Sequence, residues 1–159
     1  MRRLLIVPLI IVGLVLLSRY MYLLPIHLTT VFMTLFAVIV ADLHGVLWVV
    51  GKIKLLPKWR MEKLHQLVSL GLLTIITSGI LMLWPVRDFL LYETAFQIKA
   101  IFVSALIINS ALISKHMSIA SARAFADLSW SERRPFLIIG LISSLAWVGA
   151  FTAAQFLGL

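Results

Sequence analysis

Apolar residues in this chain form long runs, and polar residues are confined to short stretches between them. An apolar run of about 20 residues predicts a helix that crosses the hydrocarbon core of a membrane, which is about 30 Å thick. We predict five such helices joined by short loops, in a single transmembrane domain that covers residues 1–159. The first apolar run, 4–17, is the shortest and resembles a signal peptide. It lacks a small-residue cleavage site, so we interpret it as part of a retained span that continues to residue 24. The predicted spans are 4–24, 26–50, 64–84, 95–114 and 135–157.

Composition agrees with this pattern, because 62% of the 159 residues are hydrophobic and 13% are charged. A soluble domain with that balance would expose a large apolar surface to water. The fold class is therefore an all-α polytopic membrane bundle, in which four helices form the core of a cofactor site. The net charge of +8 lies in short loops and indicates topology and lipid contact rather than nucleic-acid binding. The absence of cysteine excludes thiolate metal sites and covalently attached c-type haem.

The distribution of basic residues predicts the orientation in the membrane. With the N-terminus in the cytoplasm, all but three of the 14 basic residues fall on the cytoplasmic side, the exceptions being Arg19, Arg87 and Lys99. Such an excess follows the positive-inside rule. We therefore expect an integral protein of a bacterial inner membrane with its C-terminus outside. The stretch 117–134 is expected to be an amphipathic helix that lies at the headgroup level or docks a partner.

Three of the four histidines are predicted near one face of the membrane. His44, His65 and His116 fall at the cytoplasmic ends of three different helices, where ionisable groups are costly without a partner. Two imidazoles at matched depth on facing helices would ligate a b-type haem, and the sequence leaves open which two. All three with a fourth ligand would instead suit zinc or copper. Asp42 and His44 lie about 200° apart on their helix and are not expected to face one site.

His27 is predicted at the other face. It lies 17 residues before His44, about 25 Å along a helix axis, so these two histidines are not expected to ligate one centre. His27 and Lys99 are expected either to form a separate outer site or to reach toward lipid headgroups. In the last span, small residues recur at Ala146, Ala150 and Ala154, a spacing that predicts close helix packing within the chain or at a homodimer face.

Two segments give the chain a resemblance to a known family. The leucine-rich run 64–84 and the following helix 96–110, which carries Lys99 near its start, resemble the CopD-like and HemJ-like integral membrane proteins. His27 matches the early histidine of that family, and the resemblance covers residues 26–115. It implies a haem-associated membrane bundle and adds weight to a site at His27 and Lys99.

The leading hypothesis is therefore a membrane protein that binds haem b through two of His44, His65 and His116. One-electron transfer would be its role, with a quinone or a membrane redox subunit as partner, so any enzymatic activity would be that of a haem-dependent oxidoreductase. Two other classes stay open. One is a cofactor-free scaffold subunit of a larger membrane complex, and the other is a copper- or zinc-binding membrane protein.

Overall fold

The computed structural model describes the backbone of residues 2–157 and the side chains of residues 21–157. All of its regular structure is helical, so the predicted fold class is confirmed at the level of an all-α chain. Two short 3-10 turns cover Trp84–Val86 and Phe125–Asp127. The helices in chain order are α1 (Arg2–Val49), α2 (Lys58–Leu83), α3 (Arg87–Leu90), α4 (Thr94–Ala122) and α5 (Trp130–Gln155).

Between residues 21 and 157, four helical segments are long and apolar enough to cross a membrane. They belong to α1, α2 with α3, α4 and α5, which agrees with an integral membrane protein. Successive segments are joined by short loops and run antiparallel. Helices α1 and α2 pack along their length, as do α4 and α5, whereas α2 touches α4 less and α1 touches α5 at few places. The bundle is thus two helical hairpins with an open seam between α1 and α5.

Within each hairpin a glycine allows the two helices to approach closely. A Cβ atom at Gly71 of α2 would overlap the buried side chain of Thr34 on α1. A Cβ atom at Gly149 of α5 would overlap the ring of Phe102 on α4. Ala146 is buried in the same hairpin and packs beside Phe102. The small residues of α5 therefore serve packing within the chain.

Helix α1 differs from the prediction because no turn separates the predicted spans 4–24 and 26–50. The backbone is helical through Pro25, which removes one backbone donor, a loss that membrane helices tolerate. Most of the first predicted span lies outside the residues whose side chains are described. With four crossings between them, Met21 and Gln155 lie at the same end of the bundle, as the predicted spans 26–50, 64–84, 95–114 and 135–157 also require.

One end of the bundle carries most of the positive charge. All but two of the basic residues between 21 and 157 lie near the loops 50–57 and 123–129, the exceptions being Arg87 and Lys99. We call this the basic end, and the end that holds α3 the opposite end. Helices α2, α4 and α5 extend beyond the predicted apolar spans at the basic end. These extensions carry lysine and arginine side chains, whose long stems reach the interface while the helix continues.

The connection between α4 and α5 is not the surface helix predicted for 117–134. Helix α4 runs to Ala122, and the chain is then extended except for one 3-10 turn. Ser129 and Glu132 form a reciprocal capping box that starts α5 five residues before the predicted span. Arg123 holds the connection by donating to the Glu132 carboxylate at 2.6 Å and to the carbonyl of Asp127 at 2.7 Å. Because Arg123 satisfies the carbonyl of Asp127, this backbone group does not need a hydrogen-bond partner from a helix.

A buried aromatic cluster closes the basic end. Trp48 of α1 is 1% exposed and donates from Nε1 to the carbonyl of Arg123 at 3.1 Å. Phe125 and Phe136 meet its ring edge-on, with centroid distances of 5.1 and 4.9 Å. Trp48 thereby joins α1 to both the connection and the first turns of α5.

Candidate functional site

A small polar cavity lies inside the bundle, and each of the four long helices contributes to it. Its volume is about 50 Å³. We call it the polar cavity. Its polar lining consists of Asp42 on α1, His65 on α2, Asn109 and Ser110 on α4, and Ser143 on α5. Polar side chains between membrane helices are costly unless they serve packing, a ligand or an ion.

Hydrogen bonds account for only part of this polar lining. Ser143 donates to Asp42 Oδ2 at 3.1 Å and so joins α5 to α1. The hydroxyls of Ser69 and Ser110 lie 3.3 Å apart and join α2 to α4. Asn109 is 2% exposed, and its Oδ1 has no hydrogen-bond partner among the described residues. A buried amide oxygen without a donor costs about 1–3 kcal/mol, so Asn109 calls for a ligand or water in the cavity.

A second, larger cavity lies at the open seam between α1 and α5, toward the basic end. Its volume is about 450 Å³, within the range of sites for small organic ligands. We call it the lateral cavity. Its walls are mostly apolar and include Trp48 and Gly45 of α1, Ile113 and His116 of α4, and Phe136 and Gly140 of α5.

The two cavities adjoin one another. Five residues line both, namely Ala41, Asp42, Met61, Ile113 and Met117. The apolar lateral cavity therefore adjoins the polar side chains that line the polar cavity. This combination suits a ligand with a large apolar body.

The three histidines predicted to share one membrane face have different surroundings. His44 donates from Nδ1 to the carbonyl of Val40 at 2.7 Å, and its side chain lines neither cavity. His65 lines the polar cavity and His116 lines the lateral cavity. The structure thus brings His65 and His116 into adjoining cavities and leaves His44 apart.

His116 is held in a defined orientation. Its Nδ1 donates to the carbonyl of Leu112 at 2.8 Å, which leaves Nε2 for another partner. The ring of Phe136 meets the imidazole edge-on, with a centroid distance of 5.7 Å. An imidazole fixed through Nδ1 with a free Nε2 is the usual state of a histidine that ligates a metal.

The predicted zinc or copper site needs several ligands around one ion. Among residues 21–157 no group of three or more histidine, aspartate or glutamate side chains is close enough to hold a metal ion. The chain also lacks cysteine. The three histidines therefore do not form the predicted multidentate site.

At the opposite end, His27 bridges two helices. Its Nδ1 lies in a hydrogen bond 2.9 Å from Oγ of Ser78 on α2, and the imidazole packs over Gly79. Lys99, the other residue of the predicted outer site, lies near the start of α4 at the same end of the bundle. The bond to Ser78 gives His27 a role in packing α1 against α2.

Asn109 and Ser143 were not predicted as site residues. Asn109 stands beside Ser110, and Ser143 beside Ser144, each pair inside an apolar run. Such polar residues are the signal in the sequence, because a hydrogen-bonding side chain in a membrane helix finds a partner on another helix. Which partner it finds depends on helix rotation and pairing, which the apolar runs do not specify.

Comparison with known proteins adds no relative. No family model matches the chain, and no curated protein or solved structure does so either.

Proposed function

We propose that this protein is a membrane-embedded haem-binding bundle, in which the lateral cavity would hold the cofactor and His116 would ligate its iron. The observation that carries the proposal is an apolar cavity of about 450 Å³ into which a single oriented imidazole projects. Haem supplies reversible one-electron chemistry when bound. One-electron transfer, with a quinone or a membrane subunit as partner, is the function that we infer from this chemistry.

The residues present fit a haem in three respects. The cavity walls are apolar and aromatic, as a porphyrin requires. His116 keeps Nε2 free because its Nδ1 is bonded to Leu112. The basic end supplies positive charge for carboxylate substituents, including the exposed Lys115. We infer that His65, which lines the adjoining cavity, would be the second ligand of the iron.

The position of the lateral cavity favours an apolar exchange partner. Helices α1 and α5 touch at few places beside it, so the seam is the least covered side of the site. A lipid-soluble carrier such as a quinone would approach along this seam. For the orientation, we propose that the basic end faces the cytoplasm of a bacterial inner membrane, because cytoplasmic loops carry an excess of lysine and arginine.

The experiment is a reduced-minus-oxidised visible spectrum of the detergent-purified protein, expressed with an adequate haem supply. We expect a Soret band and a sharp reduced α band. His116→Ala should lose at least nine-tenths, roughly tenfold, of the bound haem, as removal of a metal ligand generally does. His44→Ala is the matched control and should retain it, because His44 lines neither cavity.

A second variant tests the cavity rather than the ligand. Gly140 lines the lateral cavity, and a Cβ at this position would meet nothing within 4 Å. Gly140→Leu should therefore leave the fold intact and exclude the cofactor by filling its space. Ala111→Leu adds the same kind of bulk on an exposed part of α4 and should bind haem normally. A featureless spectrum of the wild-type protein, or equal loss in His44→Ala and His116→Ala, would contradict the proposal.

A further inference from the structure

We propose that the polar cavity binds a monovalent cation of about the size of sodium. Asp42, Asn109 and Ser143 would supply its protein ligands, with water completing the coordination. These ligands include neither His116 nor His65, the two histidines proposed to hold the haem iron, although His65 also lines the polar cavity. Sodium-dependent stability and the haem spectrum are separate readouts, so failure of one proposal is distinguishable from failure of the other.

The chemistry of the lining favours a hard cation. A carboxylate oxygen of Asp42, the amide oxygen of Asn109 and the hydroxyl of Ser143 are oxygen donors of the kind that alkali and alkaline-earth ions prefer. Asn109 Oδ1 has no partner among the described residues although the side chain is almost fully buried. A cation at the cavity centre would use this oxygen and the free oxygen of Asp42 together.

Charge balance selects a monovalent ion. Within the described residues, no lysine, arginine or histidine nitrogen lies within 4.0 Å of the Asp42 carboxylate. The ion pairs there involve Glu62, Asp88 and Glu132 instead. One bound monovalent cation would neutralise the single carboxylate inside the membrane. A divalent ion would leave one uncompensated positive charge in an apolar surrounding, which is costly.

A proton is a weaker explanation for the same site. A proton on Asp42 would neutralise the carboxyl and make one of its oxygens a donor, but it would leave the space of the cavity unfilled. The cavity volume of about 50 Å³ exceeds the share of one water molecule, about 30 Å³ in the liquid. An ion with a water molecule fits this space and serves both oxygens.

The position of the ligands gives the cation a structural effect. Asp42 belongs to α1, Asn109 to α4 and Ser143 to α5, so a bound ion would connect helices across the open seam. The direct hydrogen bond between Ser143 and Asp42 already joins two of them. A cation should therefore stabilise the bundle, and its binding should be visible as an increase in thermal stability.

The test compares thermal unfolding of the purified full-length protein in sodium chloride and in choline chloride at equal ionic strength. Sodium should raise the unfolding midpoint by about 3–5 °C for each tenfold increase above the dissociation constant. Asp42→Asn and Asn109→Leu should abolish the difference between the two salts. Glu62→Gln removes one surface carboxylate from α2 and should leave the difference unchanged.

Direct binding gives a second readout that does not need a variant to fold. Sodium-23 line broadening with the wild-type protein should be reversed by an excess of lithium and not by choline. Equal midpoints in sodium and choline for the wild-type protein would overturn the proposal and leave water or a proton as the occupant. A sodium-specific increase that survives in both Asp42→Asn and Asn109→Leu would place the cation elsewhere and would equally overturn it.

Discussion

The two cavities adjoin but are built on different principles. The polar cavity is small and is lined by side chains from all four long helices. A hydrogen bond joins two of its lining residues, Asp42 and Ser143. The lateral cavity is about nine times larger and is walled mainly by α1, α4 and α5, with few contacts between α1 and α5. Specific hydrogen bonds therefore hold the first site, whereas incomplete helix packing creates the second.

This difference assigns different kinds of ligand to the two sites. Convergent oxygen atoms with an unsatisfied acceptor suit a small polar or ionic ligand. A roomy apolar space with one oriented imidazole suits a large apolar cofactor. Because the cavities share lining residues such as Asp42 and Met61, we expect occupancy of one to affect the other.

The largest change in stability is expected from removing the aromatic wall of the lateral cavity, which does not line the polar cavity. Trp48 is 1% exposed, lines the lateral cavity and packs on Phe125 and Phe136. Trp48→Ala should lower the free energy of unfolding by about 3–5 kcal/mol, because it creates a void and removes the bond to Arg123. Unfolding by sodium dodecyl sulfate, followed by circular dichroism, measures this change.

Trp59 provides the matched control for Trp48. It is 70% exposed near the start of α2, so Trp59→Ala should change the free energy of unfolding by about 0.5 kcal/mol or less in detergent. Similar losses for the two tryptophans would mean that the basic end is not held by the aromatic cluster, and that the lateral cavity has no fixed wall there.

The fold could be predicted from the sequence where apolar runs are long. Helix α4 contains the predicted span 95–114, and α2 and α5 cover 64–84 and 135–157 except for the last one or two residues. Burial in lipid and a continuous hydrogen-bonded backbone both require a helix there. The predicted separation of the spans 4–24 and 26–50 is not seen in the backbone, which is helical through Pro25, since a proline in a membrane helix does not have to end it. The surface helix at 117–134 was wrong. Its sequence holds a Ser-x-x-Glu capping box at Ser129, which indicates a helix start.

The candidate site could be predicted only in part, because depth in the membrane and rotation about the helix are separate quantities. Sequence placed His44, His65 and His116 at a similar depth, and hydropathy carries no information about which helices become neighbours. The sequence does give the angle about the helix axis between two residues of the same helix. The expectation that Asp42 and His44 do not face one site agrees with the structure, in which Asp42 lines both cavities and His44 lines neither.

A smaller effect is expected from cutting the hydrogen bond that crosses the polar cavity. Ser143→Ala should lower the free energy of unfolding by about 1–3 kcal/mol, because the half-buried carboxylate of Asp42 loses its donor. Asp42→Asn combined with Ser143→Ala should show a coupling energy of about 0.5 kcal/mol or more, as residues in contact do.

The neighbouring Ser144 is the matched control for Ser143. Its hydroxyl donates only to the carbonyl of Gly140 within α5, at 3.2 Å, and the residue is exposed. Ser144→Ala should therefore be close to neutral. Equal losses at Ser143 and Ser144 would indicate that helix propensity, and not a contact between α1 and α5, sets the effect.

The smallest effect is expected where α5 begins, because this turn supports the lateral cavity without lining it. Ser129 and Glu132 cap the helix whose next turns carry Phe136 and Gly140 into the cavity wall. Ser129→Ala should cost about 1 kcal/mol, the usual value of an N-cap. The exposed Ser118 within α4 is a control position at which alanine should cost nothing measurable. Hydrogen exchange should show faster opening of residues 130–134 in Ser129→Ala with Ser143 unaffected. If protection at Ser143 fell equally, α5 would open as one unit, and a single opening free energy would apply to the helix that lines both cavities.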